Sequence, residues 1–492
     1  MMRVPLLLVA LLAGCSMEPK YIAPASPVPP SWPAGDAYLR DSEAALPALT
    51  YRDVLRDPRL QSLIDQALAN NRDLRIAAAN IAAARAQYRI QRAERFPQVD
   101  AGGGVTIADR GSGQTGSGQS GSGTSGGTNT SFSADVGVSA FELDLFGRVA
   151  ALTRAEQNRY FATEAAARAT RLTLVGDIAD AWLNHAADAS LLRIAEDTVT
   201  SAESSVRLTR ARLEGGVAPR TDLRQAEQIS ETARADVAEQ RTALAQDVNL
   251  LQLLVGAPID PALLPKTIDE AAAGVSAMPA GLRSDILLRR PDVVEAEFQL
   301  RAANAEIGAA RAALFPRISL TGLLGLASDA LTGLFSGGAF SWSAGADISY
   351  PIFRAGAGRA GVRLSEAQQQ AALATYERAI QIAFREVSDA LARRGTIGEQ
   401  LRARTAQRDA AADTYRLTEA RYRGGIDPFL TSLDAQRSLY AADRTLVATR
   451  LVAASNLVTL YQALGGDTFL QSGPIGEVVP AAASDTPEAA RR

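Results

Sequence analysis

The chain is one unit written twice, and a duplicated unit confines the fold to two copies of one local architecture. Asn71-Arg72-Asp73-Leu74 leads to Arg95-Phe96-Pro97, and Arg290-Pro291-Asp292-Val293 leads to Leu314-Phe315-Pro316. The two intervals agree, since 291 − 72 and 316 − 97 each give 219. Further along, Arg212-Leu213-Glu214-Gly215-Gly216-Val217-Ala218-Pro219 answers to Arg421-Tyr422-Arg423-Gly424-Gly425-Ile426-Asp427-Pro428, and Leu254-Val255-Gly256 to Ala463-Leu464-Gly465; 421 − 212 and 463 − 254 both give 209. The smaller offset assigns the extra residues to the first copy. They lie in 109–130, a Gly/Ser/Thr-rich segment too polar and flexible to pack, read as a mobile external loop.

Each copy changes period in the same order. An Ala-rich helical stretch (Leu60 to Arg95, Asp292 to Leu314) ends at a Phe and a Pro that cannot continue it. Strand alternation follows. Val99, Ala101, Gly103, Val105 and Ile107 alternate with polar or small residues, and Phe340, Trp342, Ala344, Ala346, Ile348, Tyr350 and Ile352 alternate with Ser341, Ser343, Gly345, Asp347, Ser349 and Pro351. The run Phe132, Ala134, Val136, Val138, Ala140 changes phase to Phe141, Leu143, Leu145, which predicts a bulge near Ala140. The helical period then returns for 66 positions (213 − 148 + 1), about 100 Å of helix. Leu172, Val175, Ala179, Trp182, Ala186 and Ala189, then Leu192, Ala195, Val199, Ala202, Val206, Thr209 and Leu213, step by threes and fours with one skip, as a coiled coil with a stammer does. The helix turns at Gly215-Gly216 and returns through Thr221 to Val255; the second copy runs Gly356 to Tyr422, turns at Gly424-Gly425 and returns from Thr431 to Leu464.

The N-terminus carries an address. Arg3, the apolar run from Pro5 to Ala13 and the small residues before Cys15 form a secretory signal. Leu12-Ala13-Gly14-Cys15 also fits a lipobox, in which Cys15, the only cysteine, becomes a lipidated N-terminus; the alternative is a thiol after an ordinary signal peptide. Ser16 stands where an inner-membrane lipoprotein often carries Asp, which favours outer-membrane sorting. No later stretch holds about twenty uninterrupted apolar residues. The expected division is a signal peptide (1–14), a lipid-anchored extended segment (15–57), a first repeat (58–256, with β-hairpin 97–146 and helical hairpin 148–255), a linker (257–285), a second repeat (286–466, with β-hairpin 316–353 and helical hairpin 356–464) and a disordered tail (467–492).

Four lipid-facing strands cannot close a barrel alone, and an open sheet edge in hydrocarbon leaves backbone groups unpaired at several kcal/mol each. Three copies supply twelve strands, enough for a water-filled lumen. The expected fold class is therefore a mixed α and β membrane protein, a homotrimer whose 12-stranded β-barrel continues into a barrel of antiparallel coiled-coil helices.

Glu18-Pro19-Lys20-Tyr21-Ile22-Ala23-Pro24, Asp57-Pro58-Arg59-Leu60, Leu145-Phe146-Gly147-Arg148, Arg290-Pro291-Asp292-Val293 with Phe315-Pro316-Arg317-Ile318, and Tyr422-Arg423-Gly424-Gly425 with Leu433-Asp434-Ala435-Gln436 closely resemble the lipoprotein branch of the TolC-like outer-membrane efflux family. The resemblance runs from Cys15 to about Gly466. It departs at Glu18, where the family usually has Gly, and in the Gly/Ser loop. It implies a trimeric exit duct for drugs or other small toxic compounds, set in the outer membrane of a Gram-negative bacterium, docked on a periplasmic adaptor and a proton-driven inner-membrane pump. The positions matching Leu430 and Asp434 narrow the closed pore in relatives with an apolar and an acidic ring, and those matching Asp222 and Tyr422 latch the closed state by hydrogen bonds. A basic latch residue of some relatives is replaced by Asp427, so the latch here is weaker or differently paired. A helix-capping role for Asp434, through Thr431-Ser432-Leu433-Asp434, and a helix-start role for Asp222 remain alternatives.

Other chemistry is sparse. His185 is the sole histidine, which leaves no His/Cys metal cluster and reads as a helix-surface or packing residue. Gly123-Thr124-Ser125-Gly126-Gly127 satisfies a nucleophile-elbow pattern by chance, lacking the strand and helix such an elbow needs. Charge is nearly balanced at −3 and aromatics are 5%, so the basic, stacking footprint of a nucleic-acid binder is missing. No enzyme activity and no cofactor beyond lipid on Cys15 are expected. Two rival readings stand beside the drug duct: the duct of a metal-cation or type I protein exporter, and a periplasmic coiled-coil scaffold lipoprotein without a pore.

Overall fold

The computed structural model describes residues 16–29, 31–33, 50–109, 128–276, 284–336 and 338–467. Cys15, nearly all of the Gly/Ser loop and the tail beyond Asp467 lie outside them. In chain order the elements are α1 (Tyr51–Val54), α2 (Pro58–Asn70), α3 (Arg72–Ala93), β1 (Asp100–Asp109), β2 (Thr128–Leu143), α4 (Arg148–Glu214), α5 (Arg220–Val255), α6 (Ile268–Ala273), α7 (Pro291–Ala312), β3 (Arg317–Ser328), β4 (Phe340–Ser349), α8 (Ala357–Arg423) and α9 (Phe429–Ala463).

Several expected boundaries are revised. The helix expected from Leu60 to Arg95 breaks at Asn71, whose backbone turns extended (ψ 139°). Its Oδ1 accepts the amides of Asp73 (2.8 Å) and Leu74 (3.1 Å), so one side chain ends α2 and caps α3. The loop expected at 109–130 is shorter, because the ladder continues through Ala108↔Asn129 to Asp109↔Thr128. β4 stops at Ser349, short of Ile352, ahead of Pro351, which cannot donate to a ladder. The linker at 257–285 holds α6, and α1 closes the N-terminal segment expected to be extended.

The chain divides into two compact units, and each is described by itself. One comprises the described parts of Met1–Pro24, Ala82–Ala162 and Glu297–Thr375. It contains one antiparallel sheet in the order β1-β2-β3-β4. Val138 faces Gly322 and Phe141 faces Leu320, so Ser139 and Ala140 bulge opposite Thr321, where the phase change predicts it. A Cβ on Gly137 would lie 2.2 Å from the Gly322 carbonyl oxygen, so only glycine allows β2 and β3 to pair there. Every residue of β4 is exposed, including Phe340 (62%), Trp342 (70%) and Ile348 (68%). Glu18, the departure noted above, finds a use in this unit: Arg154 Nε donates to its carboxylate at 2.6 Å, and Asn304 Nδ2 donates to the neighbouring Pro19 carbonyl at 2.9 Å.

The other unit comprises the described parts of Ala25–Ile81, Thr163–Ala296 and Tyr376–Arg492. Its core holds Leu60, Leu63, Ile64, Ile178, Trp182, Leu183, Leu251 and Ile268, all fully buried. The Trp182 indole satisfies its single donor on the Leu263 carbonyl at 3.0 Å. Most of the expected coiled-coil seam of α4 is buried, from Leu172 through Trp182 and Ala186 to Ala195, Ala202 and Thr209. The duplication extends to tertiary contacts. Asn71 Nδ2 donates to the Leu254 carbonyl at 2.7 Å, and Arg290 Nη1 donates to the Ala463 carbonyl at 2.7 Å; these are equivalent positions, since 290 − 71 is 219 and 463 − 254 is 209. No described helix is long and apolar enough to cross a membrane.

Candidate functional site

The four expected gate residues, Asp222, Tyr422, Leu430 and Asp434, all fall in the second unit, around two turns of matching geometry, and Cys15 lies outside the described residues. At the end of α4 the amides of Gly215, Gly216 and Val217 return to the carbonyls of Ala211 (3.0 Å), Leu213 (2.9 Å) and Arg212 (2.9 Å). At the end of α8 the amides of Gly424, Gly425 and Ile426 return to Ala420 (3.0 Å), Tyr422 (2.9 Å) and Arg421 (2.9 Å). Both are Schellman turns, and Gly216 (φ 74°) and Gly425 (φ 73°) take the left-handed conformation that a side chain resists. After each turn a proline, Pro219 or Pro428, precedes the returning helix.

Behind the turns lies a small apolar cluster. Ala226, Tyr422, Phe429 and Leu433 are buried together, with Val206, Leu208 and Ile229 packed on them, so the cluster draws side chains from α4, α5, α8 and α9 and ties the two helical hairpins. The Tyr422 and Phe429 rings meet at 5.2 Å between centroids, tilted by 54°. Burial raises the pKa of the Tyr422 phenol, and the Arg212 guanidinium opposes that shift. Among the described residues its buried hydroxyl meets no hydrogen-bond partner of good geometry, although the Arg212 guanidinium lies near it. Asp222, third residue of α5 and half-exposed, is near enough for its charge to act on Tyr422, and no hydrogen bond joins it to the Tyr422 hydroxyl.

At the turns, a hydrogen-bonded contact between the hairpins comes instead from Arg212, which the motifs do not single out. Its Nη2 donates to the Tyr422 carbonyl (3.0 Å) and the Arg423 carbonyl (3.2 Å), and its guanidinium carbon lies 4.3 Å from the Tyr422 ring centroid. Asp427 is differently paired from a basic latch: Arg421 Nε and Nη2 donate to its two oxygens at 2.6 and 2.9 Å, a bidentate pair inside one turn. That pairing holds the Asp427 carboxyl below its ordinary pKa. The signal for both was present in the repeat, which aligns Arg212 with Arg421 but Ala218 with Asp427.

Leu430 and Asp434 stand four residues apart on one face of α9 and point away from the cluster, whereas Leu433 between them is buried. Leu430 is 51% exposed and the Asp434 side chain 64%, with only a long, exposed contact to Arg437 at 3.8 Å that is worth little. The capping alternative for Asp434 fails, because α9 starts at Phe429 after Pro428 and Thr431 already lies inside its first turn. The helix-start alternative for Asp222 is compatible with its place in the first turn of α5. His185 is a packing residue: it is buried against the Pro265 backbone, and burial lowers its pKa.

Residues 63–257 and 282–466 match the protein family described as outer membrane efflux protein. The chain is 46% identical over 465 residues to the antibiotic efflux pump outer membrane protein ArpC of Pseudomonas putida, covering 94% of this chain and 95% of that one. It is 45% identical over 465 residues to the toluene efflux pump outer membrane protein TtgC of Pseudomonas putida, with the same coverage of 94% and 95%. Among solved structures, the open state of the MtrE outer membrane channel of Neisseria gonorrhoeae superposes with a TM-score of 0.80 at 34% identity, over 92% of this chain and 99% of that one.

Proposed function

The chain belongs to the outer membrane efflux protein family, and from that premise we propose that three copies form the passive exit duct of a tripartite pump for small apolar toxic compounds, antibiotics and organic solvents among them. It is a transport component of the outer membrane rather than an enzyme. One observation carries the pore: β4 exposes an apolar face, and β1 and β4 are both edges of the sheet. In hydrocarbon those edges need partners, and a β1 edge from one copy meeting the β4 edge of the next satisfies both. Nothing in the duct supplies energy, so transport is driven by an inner-membrane, proton-coupled pump joined through a periplasmic adaptor. Cys15, outside the described residues, anchors the chain through lipid. The cargo class follows the named cargoes of the relatives, antibiotics and toluene.

The same reading places the closed constriction at Leu430 and Asp434. Their shared exposed face is an apolar and an acidic group with no partner of substance among the described residues. Around a threefold axis it becomes an apolar ring beside three carboxylates, and repulsion among them is relieved by entering cations. Asp222 and Tyr422 flank the junction that holds this constriction shut, Tyr422 through its ring rather than its hydroxyl.

Planar-bilayer recordings test the gate, and a deletion strain complemented with the chain tests export. Wild type is expected to conduct little and prefer cations, Asp434→Ala to weaken that preference and Leu430→Ala to raise the current; complementation restores tolerance to toluene and antibiotics. If both variants keep wild-type current and selectivity, the constriction lies elsewhere. If complementation restores tolerance to metal salts or secretion of a protein instead, the cargo is of another class.

A further inference from the structure

The two turns share their hydrogen bonds and their glycines, yet their equivalent arginines do different things. Arg421 is held within its own turn by both oxygens of Asp427. Arg212 has no such partner, because Ala218 occupies the position of Asp427. It reaches across to the other hairpin and donates to the last carbonyls of α8, at 3.0 and 3.2 Å, with its guanidinium against the Tyr422 ring. From this asymmetry we infer that Arg212 is a positioning residue of the gate: a clamp that holds the C-terminal end of α8 against α4 and must let go before the Gly424-Gly425 turn can move and widen the pore.

The chemistry suits a releasable clamp. The last carbonyls of a helix lack intrahelical partners and carry its negative pole, so a guanidinium is a matched donor for them. The Tyr422 carbonyl already accepts the Gly425 amide within the turn, so Arg212 joins the turn itself rather than a neighbouring surface. The aromatic face adds attraction for the cation. Among the described residues no carboxylate fixes Arg212, and the site is half-exposed, so a competing anion or a carboxylate brought by a partner can draw it away without unfolding either helix. By contrast, the Arg421–Asp427 pair keeps the second turn rigid as it moves.

The inference rests on the gate reading for its link to the pore, while the clamp itself is measured separately. Ala218→Asp places a carboxylate where the second turn has one, so it is expected to capture Arg212 and release α8 with the arginine still present. Arg212→Gln removes the clamp directly. In full-length protein purified from outer membranes, both variants are expected to speed hydrogen exchange in peptides spanning 420–430 about tenfold and to raise single-channel current. The double variant is expected to match Arg212→Gln alone, because the new carboxylate acts only through the arginine. Wild-type exchange in Arg212→Gln overturns the clamp. Faster exchange with wild-type current, in a background where Leu430→Ala raises current, overturns its role in gating. Faster exchange when neither Leu430→Ala nor Asp434→Ala changes current upholds the clamp and removes the gate reading instead.

Discussion

Tyr422 separates two ways in which a single residue can hold a junction. Among the described residues its hydroxyl meets no partner of good geometry, whereas its ring sits between Phe429, Leu433 and the Arg212 guanidinium. Removing an unsatisfied buried hydroxyl is nearly neutral, but removing a buried aromatic ring leaves a cavity. Tyr422→Phe is therefore expected to keep wild-type current and exchange rates, and Tyr422→Ala to loosen the cluster by about 3–5 kcal/mol, read as faster exchange around 420–430. A Tyr422→Phe channel that opens would restore the hydroxyl latch. Asp247 gives a pH signature in the same unit: burial, then the charge and hydrogen bond of Asp188, push its carboxyl up to about 6. The folded state thus binds more protons than the unfolded chain between about pH 4 and 6, and stability falls as pH rises through that window. Asp247→Asn is expected to match wild type near pH 4 and to exceed it at pH 8 by about 1 kcal/mol, discounted for solvent screening, in thermal melts at both pH values.

At the scale of elements, the first hairpin shows how much a ladder tolerates. Its pairing closes at Asp109↔Thr128, so the segment 110–127 enters no described pair. Joining those paired residues with Asn-Gly supplies a two-residue turn of the hand that matches strand twist. Replacing 110–127 in this way is expected to leave assembly and export unchanged, checked by an oligomer band in unheated gels and by complementation. Loss of that band would mean that the segment takes part in assembly. The bulge at Ser139 and Ala140 is less forgiving, because it resets which side chains of β2 face each side of the sheet.

For the whole molecule, the alternation along β4 makes the membrane reading quantitative. Ala346 shares a face with Trp342 and Ile348, and Gly345 belongs to the other face, where a Cβ would meet nothing within 4 Å. If the first face meets lipid, Ala346→Arg costs about 2–4 kcal/mol near the bilayer midplane and reduces assembly, whereas Gly345→Arg assembles and narrows the lumen. The measurement is the yield of heat-modifiable oligomer together with single-channel current. Equal yields from the two variants would remove the barrel, since a soluble scaffold exposes both faces to water alike.

Much of this protein was legible in the residues alone, because its strongest signals are periodic. Period two marked β1, β2 and β4, threes and fours marked α4, the repeat carried that reading to α8, and the offsets 219 and 209 announced the duplication that recurs as the matched Asn71–Leu254 and Arg290–Ala463 contacts. The phase slip near Ala140 foretold the bulge for the same reason: one residue moves every later side chain to the other face. Breaks made by one side chain stayed hidden. Asn71 splits a helix that alanine content would continue, and Pro428 starts α9 early enough to exclude the capping box that Thr431 and Asp434 spell. Partner choice was hidden too. Tyr422 and Asp222 are neighbours without a bond, while Arg212 crosses between hairpins, because a hydrogen bond depends on ångström distances between helices that periodicity leaves free.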